Sequence, residues 1–183
     1  MPPIEDDISI LIKGCKENNR KAQERLYTLF YEAMTLLCLR YTKNAQDALE
    51  VLNNGFLKVF KKIDQYNPAR AALSTWIRTI MVNSAIDFIR TQKPSYTSLS
   101  ENEEEAPAVE NEAVSKMDAE ELLTLIRNLP TTTQLVFNLY IMEGYSHSEI
   151  ASMLGVNEGT SRWHLSEARK ILKRHIKPQQ LEI

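Results

Sequence analysis

The chain has 183 residues, enough for two modest domains, and 43% of them are hydrophobic, which suits globular folding rather than disorder. Gly is scarce, with only 5, no alternating run with hairpin turns is present, and no apolar run nears the roughly 20 residues of a membrane helix. An all-α protein of two small helical domains without a membrane-inserted segment is predicted. The net charge of −2 is unevenly spread: residues 1–90 carry 13 basic and 10 acidic side chains, 91–120 carry 2 and 8, and 121–183 carry 7 and 6. Between Gly155 and Lys177 the balance is 6 basic to 2 acidic, so the end of the chain is locally basic.

The N-terminus begins acidic, at Glu5, Asp6 and Asp7, with no signal-peptide pattern, and a cytoplasmic protein is expected. Cys15 and Cys38 are too few for a disulfide framework and read as reduced, partly buried thiols. His147, His164 and His175 lack zinc-site spacing, and neither a Gly-rich phosphate loop nor a nucleophile elbow occurs. Neither an enzyme nor a cofactor is expected.

In chain order, a short helix is predicted from Asp7 to Lys16. A second follows, with Leu26, Leu29, Phe30, Ala33, Leu37 and Tyr41 on one face. Asn44 is an N-cap for a third, whose Ala45, Leu49, Leu52, Phe56, Val59, Phe60 and Ile63 continue the apolar phase. Gly55 inside that helix implies close packing. Tyr66-Asn67-Pro68-Ala69-Arg70 breaks the pattern as a loop, and a fourth helix runs from about Leu73 to Thr91. On it, Ile77, Met81, Ala85 and Phe88 line a core face, while Trp76, Ile80, Asn83, Asp87 and Arg90 line another. An aromatic followed by polar groups suits stacking on and hydrogen bonding to bases, although Trp76 as simple core is an equal reading. Pro94, Pro107, several Ser and six Glu then mark an acidic linker over 93–116, dividing an N-terminal domain, 1–92, from a C-terminal one, 117–183.

In the second part, helices are predicted over 118–128 and 132–143, separated by Asn128-Leu129-Pro130. Ser146 with Glu149 forms a capping box, Ile150, Ala151 and Leu154 supply a buried side, and Gly155 ends that helix. Asn157 caps the last helix, which continues to about Arg174. Helix, tight Gly turn, helix is the arrangement that places a second helix in the major groove of DNA. Leu165, Ala168, Leu172 and Ile176 form its packing stripe. Arg162, Ser166, Arg169 and Lys173 align about 110° away, with Trp163 and Lys170 beside them. Arg reads guanine edges bidentately, whereas Lys and Ser more often hold phosphates.

Both halves resemble the extracytoplasmic-function class of RNA polymerase sigma factors. In the first half the matching residues are Asp47 through Phe60, ending Gly55-Phe56-Leu57-Lys58-Val59-Phe60, then Leu73-Ser74-Thr75-Trp76-Ile77-Arg78 and Asn83-Ser84-Ala85-Ile86-Asp87-Phe88-Ile89-Arg90. In the second they are Leu129-Pro130, Glu143-Gly144-Tyr145-Ser146, Glu149-Ile150-Ala151, Leu154-Gly155-Val156, and Glu158-Gly159-Thr160 through Ala168-Arg169. The resemblance implies that the helix from Asp47 to Phe60 binds the clamp of core RNA polymerase, through Asp47, Glu50, Asn53, Asn54, Phe56 and Lys58. It implies that Tyr66, Arg70, Trp76, Asn83, Asp87 and Arg90 recognise and melt the −10 element, with Asn83 at a flipped base. Arg162, Trp163, Ser166, Arg169, Lys170 and Lys173 would read the −35 element. Promoter DNA, core RNA polymerase and an anti-sigma factor are the partners implied. Two departures stand out: Asn53 and Asn54 replace a Gln and an acidic residue, and Trp163 and His164 occupy positions usually small or basic. A free-standing helix-turn-helix regulator would explain residues 129–177 equally well, but not the basic first half with its Trp76 and Asn83 stripe.

Overall fold

The structure, a computed structural model, describes residues 5–92 and 119–176; the linker assigned to 93–116 lies outside them. Among the described residues all regular structure is helical. The chain forms two compact units, Met1–Pro94 and Ser95–Ile183.

The first unit contains α1 (Glu5–Lys16), α2 (Arg20–Tyr41), α3 (Ala45–Lys62), a 3-10 turn (Ile63–Gln65) and α4 (Leu73–Gln92). Helices α2, α3 and α4 pack on one another, and α1 lies against α2. Side-chain caps set the two helix starts. Asn19 Oδ1 accepts from the backbone N–H of Lys21 and Ala22 at 3.0 and 3.2 Å. Asn44 Oδ1 accepts from Asp47 N–H at 2.8 Å, while its amide donates to the Asp47 carboxylate at 3.0 Å. Leu26, Leu37, Val51, Leu52, Phe56, Val59, Ile77, Met81 and Ala85 make the core.

The buried faces of α2 and α3 are turned from the predicted ones. On α2, Leu29 is 45% exposed and Ala33 is exposed, while Met34 and Cys38 are buried in their place. On α3, Ala45 and Leu49 are exposed, Phe60 is half-buried, and Ala48, Val51 and Gly55 are buried. The reason is that α3 packs against both α2 and α4. Small residues mark such close approaches, and a stripe drawn through the large apolar side chains misses them.

Gly55 shows how close the approach is. A Cβ there would collide with the sulfur of Met81 on α4. Gly55→Ala is therefore expected to destabilise the protein by about 1–3 kcal/mol, despite alanine's better helix propensity. Urea denaturation checks this; an unchanged or raised midpoint would show that Met81 moves aside without penalty. Both cysteines are buried and free, and burial pushes the Cys38 thiol up to about 12.

The second unit contains α5 (Ala119–Arg127), α6 (Thr131–Phe137), α7 (His147–Leu154) and α8 (Glu158–Ile176). Helix α6 is almost wholly buried, from Thr132 to Phe137, and packs on α8, which also meets α5 and α7. The helix predicted over 132–143 is α-helical only to Phe137. It then widens into one π-helical turn, Asn138–Met142, closed by a 3.0 Å bond from Glu143 N–H to Asn138 O. Of the expected packing residues, Ile150, Ala151, Leu165, Ala168 and Leu172 are buried and Leu154 is half-buried, whereas the Ile176 side chain lies outside the described ones.

Candidate nucleic-acid interface

The turn between α7 and α8 is built from local hydrogen bonds. Glu149 Oε2 accepts from Ser146 N–H at 2.8 Å and from its hydroxyl at 2.7 Å, while Glu149 N–H donates to Ser146 Oγ at 3.3 Å. These bonds hold the Glu149 carboxyl below its usual range. Gly155 ends α7 at φ +70°, the left-handed conformation that glycine adopts without strain, and its N–H donates to Ala151 O at 2.9 Å. Asn157 Oδ1 then accepts from Thr160 N–H at 2.6 Å and starts α8.

Helix α8 buries Ser161, His164, Leu165, Ala168 and Leu172. That leaves the remaining faces to solvent. Arg162, Arg169 and Lys173 are exposed and Ser166 is half-buried on one outer stripe, with exposed Trp163 and Lys170 beside it. Arg162 Nη2 donates to Glu158 Oε2 at 2.7 Å, one turn earlier, and Lys170 Nζ lies 3.8 Å from Glu167 Oε2. Both are surface pairs worth a few tenths of a kcal/mol, so a base edge or phosphate can displace them.

The second candidate surface lies on α4 and the loop before it. Trp76 is half-buried, its ring centroid 5.4 Å from that of Tyr66. Tyr66, expected to offer a wall to a base, is only 8% exposed, and its hydroxyl donates to Ala71 O at 3.2 Å. It braces the loop from within. Asn67 Oδ1 accepts from Ala69 N–H at 2.9 Å and tightens the turn that carries exposed Arg70. Asn83, Asp87 and Arg90 are exposed along α4. Asp87 is paired with Lys58 Nζ of α3 at 2.9 Å.

On α3, Glu50, Asn53 and Asn54 are exposed and Asp47 is half-buried at the cap. Asn53 Oδ1 accepts from Tyr27 OH at 3.2 Å. Phe56 corrects the sequence reading: it is 2% exposed, packed on Tyr27 with ring centroids 4.6 Å apart, so it supports this face from the core and is not a contact residue. Lys58 is half-buried and occupied by Asp87. Leu49, predicted as core, and Leu57, part of the matching motif but not among the predicted contact residues, are 45% and 56% exposed. With Asn53 between them at four-residue spacing they form one outer stripe; Leu57 lies off the predicted apolar phase, whereas Leu49 lies on it and is exposed only through the packing of α3.

Residues 26–94 match the family Sigma-70 region 2, and residues 119–172 match Sigma-70, region 4. The ECF RNA polymerase sigma-E factor of Haemophilus influenzae is 25% identical over 180 residues, covering 92% of this chain and 94% of the relative. The ECF RNA polymerase sigma factor SigW of Bacillus subtilis is 24% identical over 178 residues, covering 91% and 95%. The chain belongs to the extracytoplasmic-function sigma factors. It is a promoter-directing transcription initiation factor. In fold it is similar to the sigma factor RpoE of Bartonella quintana, solved with the anti-sigma factor NepR, at a TM-score of 0.54 and 18% identity over 86% of this chain and 98% of that one. Among the described residues of this sigma factor, no helix is long and apolar enough to cross a membrane.

Two histidines of the sigma factor hold α8 in place. His164 Nδ1 and Thr133 Oγ1 are hydrogen bonded at 3.0 Å, and His147 Nδ1 and Ser161 Oγ at 2.9 Å. Burial lowers the pKa of both imidazoles from the usual 6.5, with Arg162 adding to the effect on His147. A histidine whose folded pKa is depressed takes up more protons unfolded than folded, so its unit loses stability as pH falls through about 6.5 toward the lowered value. In a Trp76→Phe background, Trp163 fluorescence reports this unit alone. Its urea midpoint is expected to fall between pH 7 and pH 5.5; a flat midpoint would contradict it. Glu149 acts in a separate window, below its usual 4.5.

Proposed function

We propose that residues 1–92 bind core RNA polymerase and open the −10 element, that residues 117–183 read the −35 element, and that the acidic stretch 93–116 links them. The outer face of α3, with Asp47, Glu50, Asn53 and Asn54 and the exposed Leu49 and Leu57, is the polymerase contact. Lys58 reaches the same edge through its pairing with Asp87. On α4, Trp76 supplies a stacking ring beside the loop braced by Tyr66, and the Asn83 amide hydrogen-bonds the exposed edge of a flipped base. Arg70, Asp87 and Arg90 flank the strand. On α8, Arg162 reads a base edge, Ser166 and Trp163 lie beside it, and Arg169, Lys170 and Lys173 hold phosphates. The observation that carries this reading is the α8 face itself, cationic side chains turned outward behind a capped α7 and a left-handed Gly155. The protein works by binding, without catalysis of its own, in the cytoplasm, and an anti-sigma factor is a further partner.

Run-off transcription with core polymerase, from a promoter fragment upstream of the protein's own gene, tests the reading; absence of a promoter-specific transcript would overturn it. In the same assay Asn83→Ala should lower open-complex formation about 5- to 30-fold, the effect of about 1–2 kcal/mol for an unsatisfied hydrogen-bonding edge, with polymerase binding unchanged. Permanganate reactivity of −10 thymines measures it. Normal melting by the variant would remove Asn83 from the mechanism.

A further inference from the structure

The buried side of α8 holds two polar residues where apolar side chains would pack more simply. Ser161 is fully buried and His164 is 3% exposed. They lie three residues apart, about 60° around the helix. Each reaches a different element: His164 meets Thr133 of α6 at 3.0 Å, and Ser161 meets His147, the first residue of α7, at 2.9 Å. His147 is itself stacked on Tyr140 of the π-helical turn, with ring centroids 4.5 Å apart and planes 22° from parallel. Among the described residues the other ring nitrogen of His164 is buried without a hydrogen-bond partner. Trp163, at the edge of the outer face, sits against the His164 ring at 4.8 Å.

Apolar contacts through Leu165, Ala168 and Leu172 hold α8 down by close packing, and hydrogen bonds add a directional restraint on its roll. Hydrogen bonds are directional and weaken steeply when bent. At the outer radius of a helix, roughly 6 Å, a 20° roll moves a side chain by about 2 Å, enough to break a base contact. We infer that Thr133–His164 and His147–Ser161 are positioning pairs that fix the roll of α8, and through it which base edges Arg162 and Ser166 reach. This rests on the proposal that α8 reads the −35 element. It adds that promoter specificity is set partly by four side chains that act from behind the reading face.

The test uses the full chain with core polymerase, selecting from promoter duplexes randomised across the −35 region. Thr133→Val keeps the shape and deletes the hydroxyl, and Thr133→Ser keeps the hydroxyl. The valine variant should lose about tenfold in discrimination or shift its preferred bases, the serine variant should select as the unaltered protein does, and the salt dependence should be the same for all three. Should the valine variant not fold, Ser161→Ala, which removes one hydroxyl from the other pair, carries the same test. An unchanged base profile in a folded valine or alanine variant would overturn the positioning role while leaving α8 as the reader. An unaltered protein that enriched no −35 sequence would overturn the reading of α8 and this inference with it.

Discussion

Arg162→Ala is expected to weaken promoter binding by the polymerase complex by about 1–3 kcal/mol, or roughly 5- to 160-fold, with the loss confined to one or two base pairs of the −35 element. Arg162 sits one turn into α8, exposed on the stripe about 110° from the packing face, where the end of a recognition helix meets base edges. Its guanidinium is held by Glu158 at 2.7 Å through one nitrogen only, in a pair exposed to solvent. Breaking that pair costs about 0.3–0.5 kcal/mol, far less than a bidentate contact to guanine supplies. Affinities for a set of singly substituted −35 sequences distinguish the roles. A base reader loses its preference at its own position, whereas a loss equal across all sequences would show that Arg162 only holds phosphate.

How far the sequence could be read depended on the range of the interactions. The capping box at Ser146, the N-caps at Asn44 and Asn157 and the left-handed Gly155 each involve partners within a few residues, so local chemistry was enough. The outward stripe of α8 was legible because Leu165, Ala168 and Leu172 keep a single apolar phase along the helix, although three helices pack on it. Helix α3 lies against two neighbours, and its burial depended on partners the sequence does not name. Leu49 therefore faces outward, and Phe56, in a motif read as contact, is covered by Tyr27. The π-helical turn after Phe137 shifts the phase by one residue and leaves no periodic signal. In sequence His164 stands out by its position in the family pattern and lacks zinc-site spacing, and neither points to its partner. Its burial against Thr133, thirty-one residues away, needed the fold.

Dependence on core polymerase is the expected result of largest size. Each unit offers DNA only a few cationic side chains, and the stretch 91–120, with 2 basic and 8 acidic residues, repels phosphates. Two weak sites reinforce each other only when their spacing matches the spacing of their targets, and in the proposed function the polymerase supplies that match for the −10 and −35 elements. The direct measurement is a gel-shift series on promoter and scrambled duplexes, with and without core polymerase, over a range of salt. The isolated protein should bind both duplexes weakly, with affinity falling steeply as salt rises, and core polymerase should produce tight binding to the promoter alone. Nanomolar, promoter-specific binding by the isolated protein at physiological salt, unchanged by polymerase, would contradict a factor that works through polymerase and would indicate a free-standing regulator.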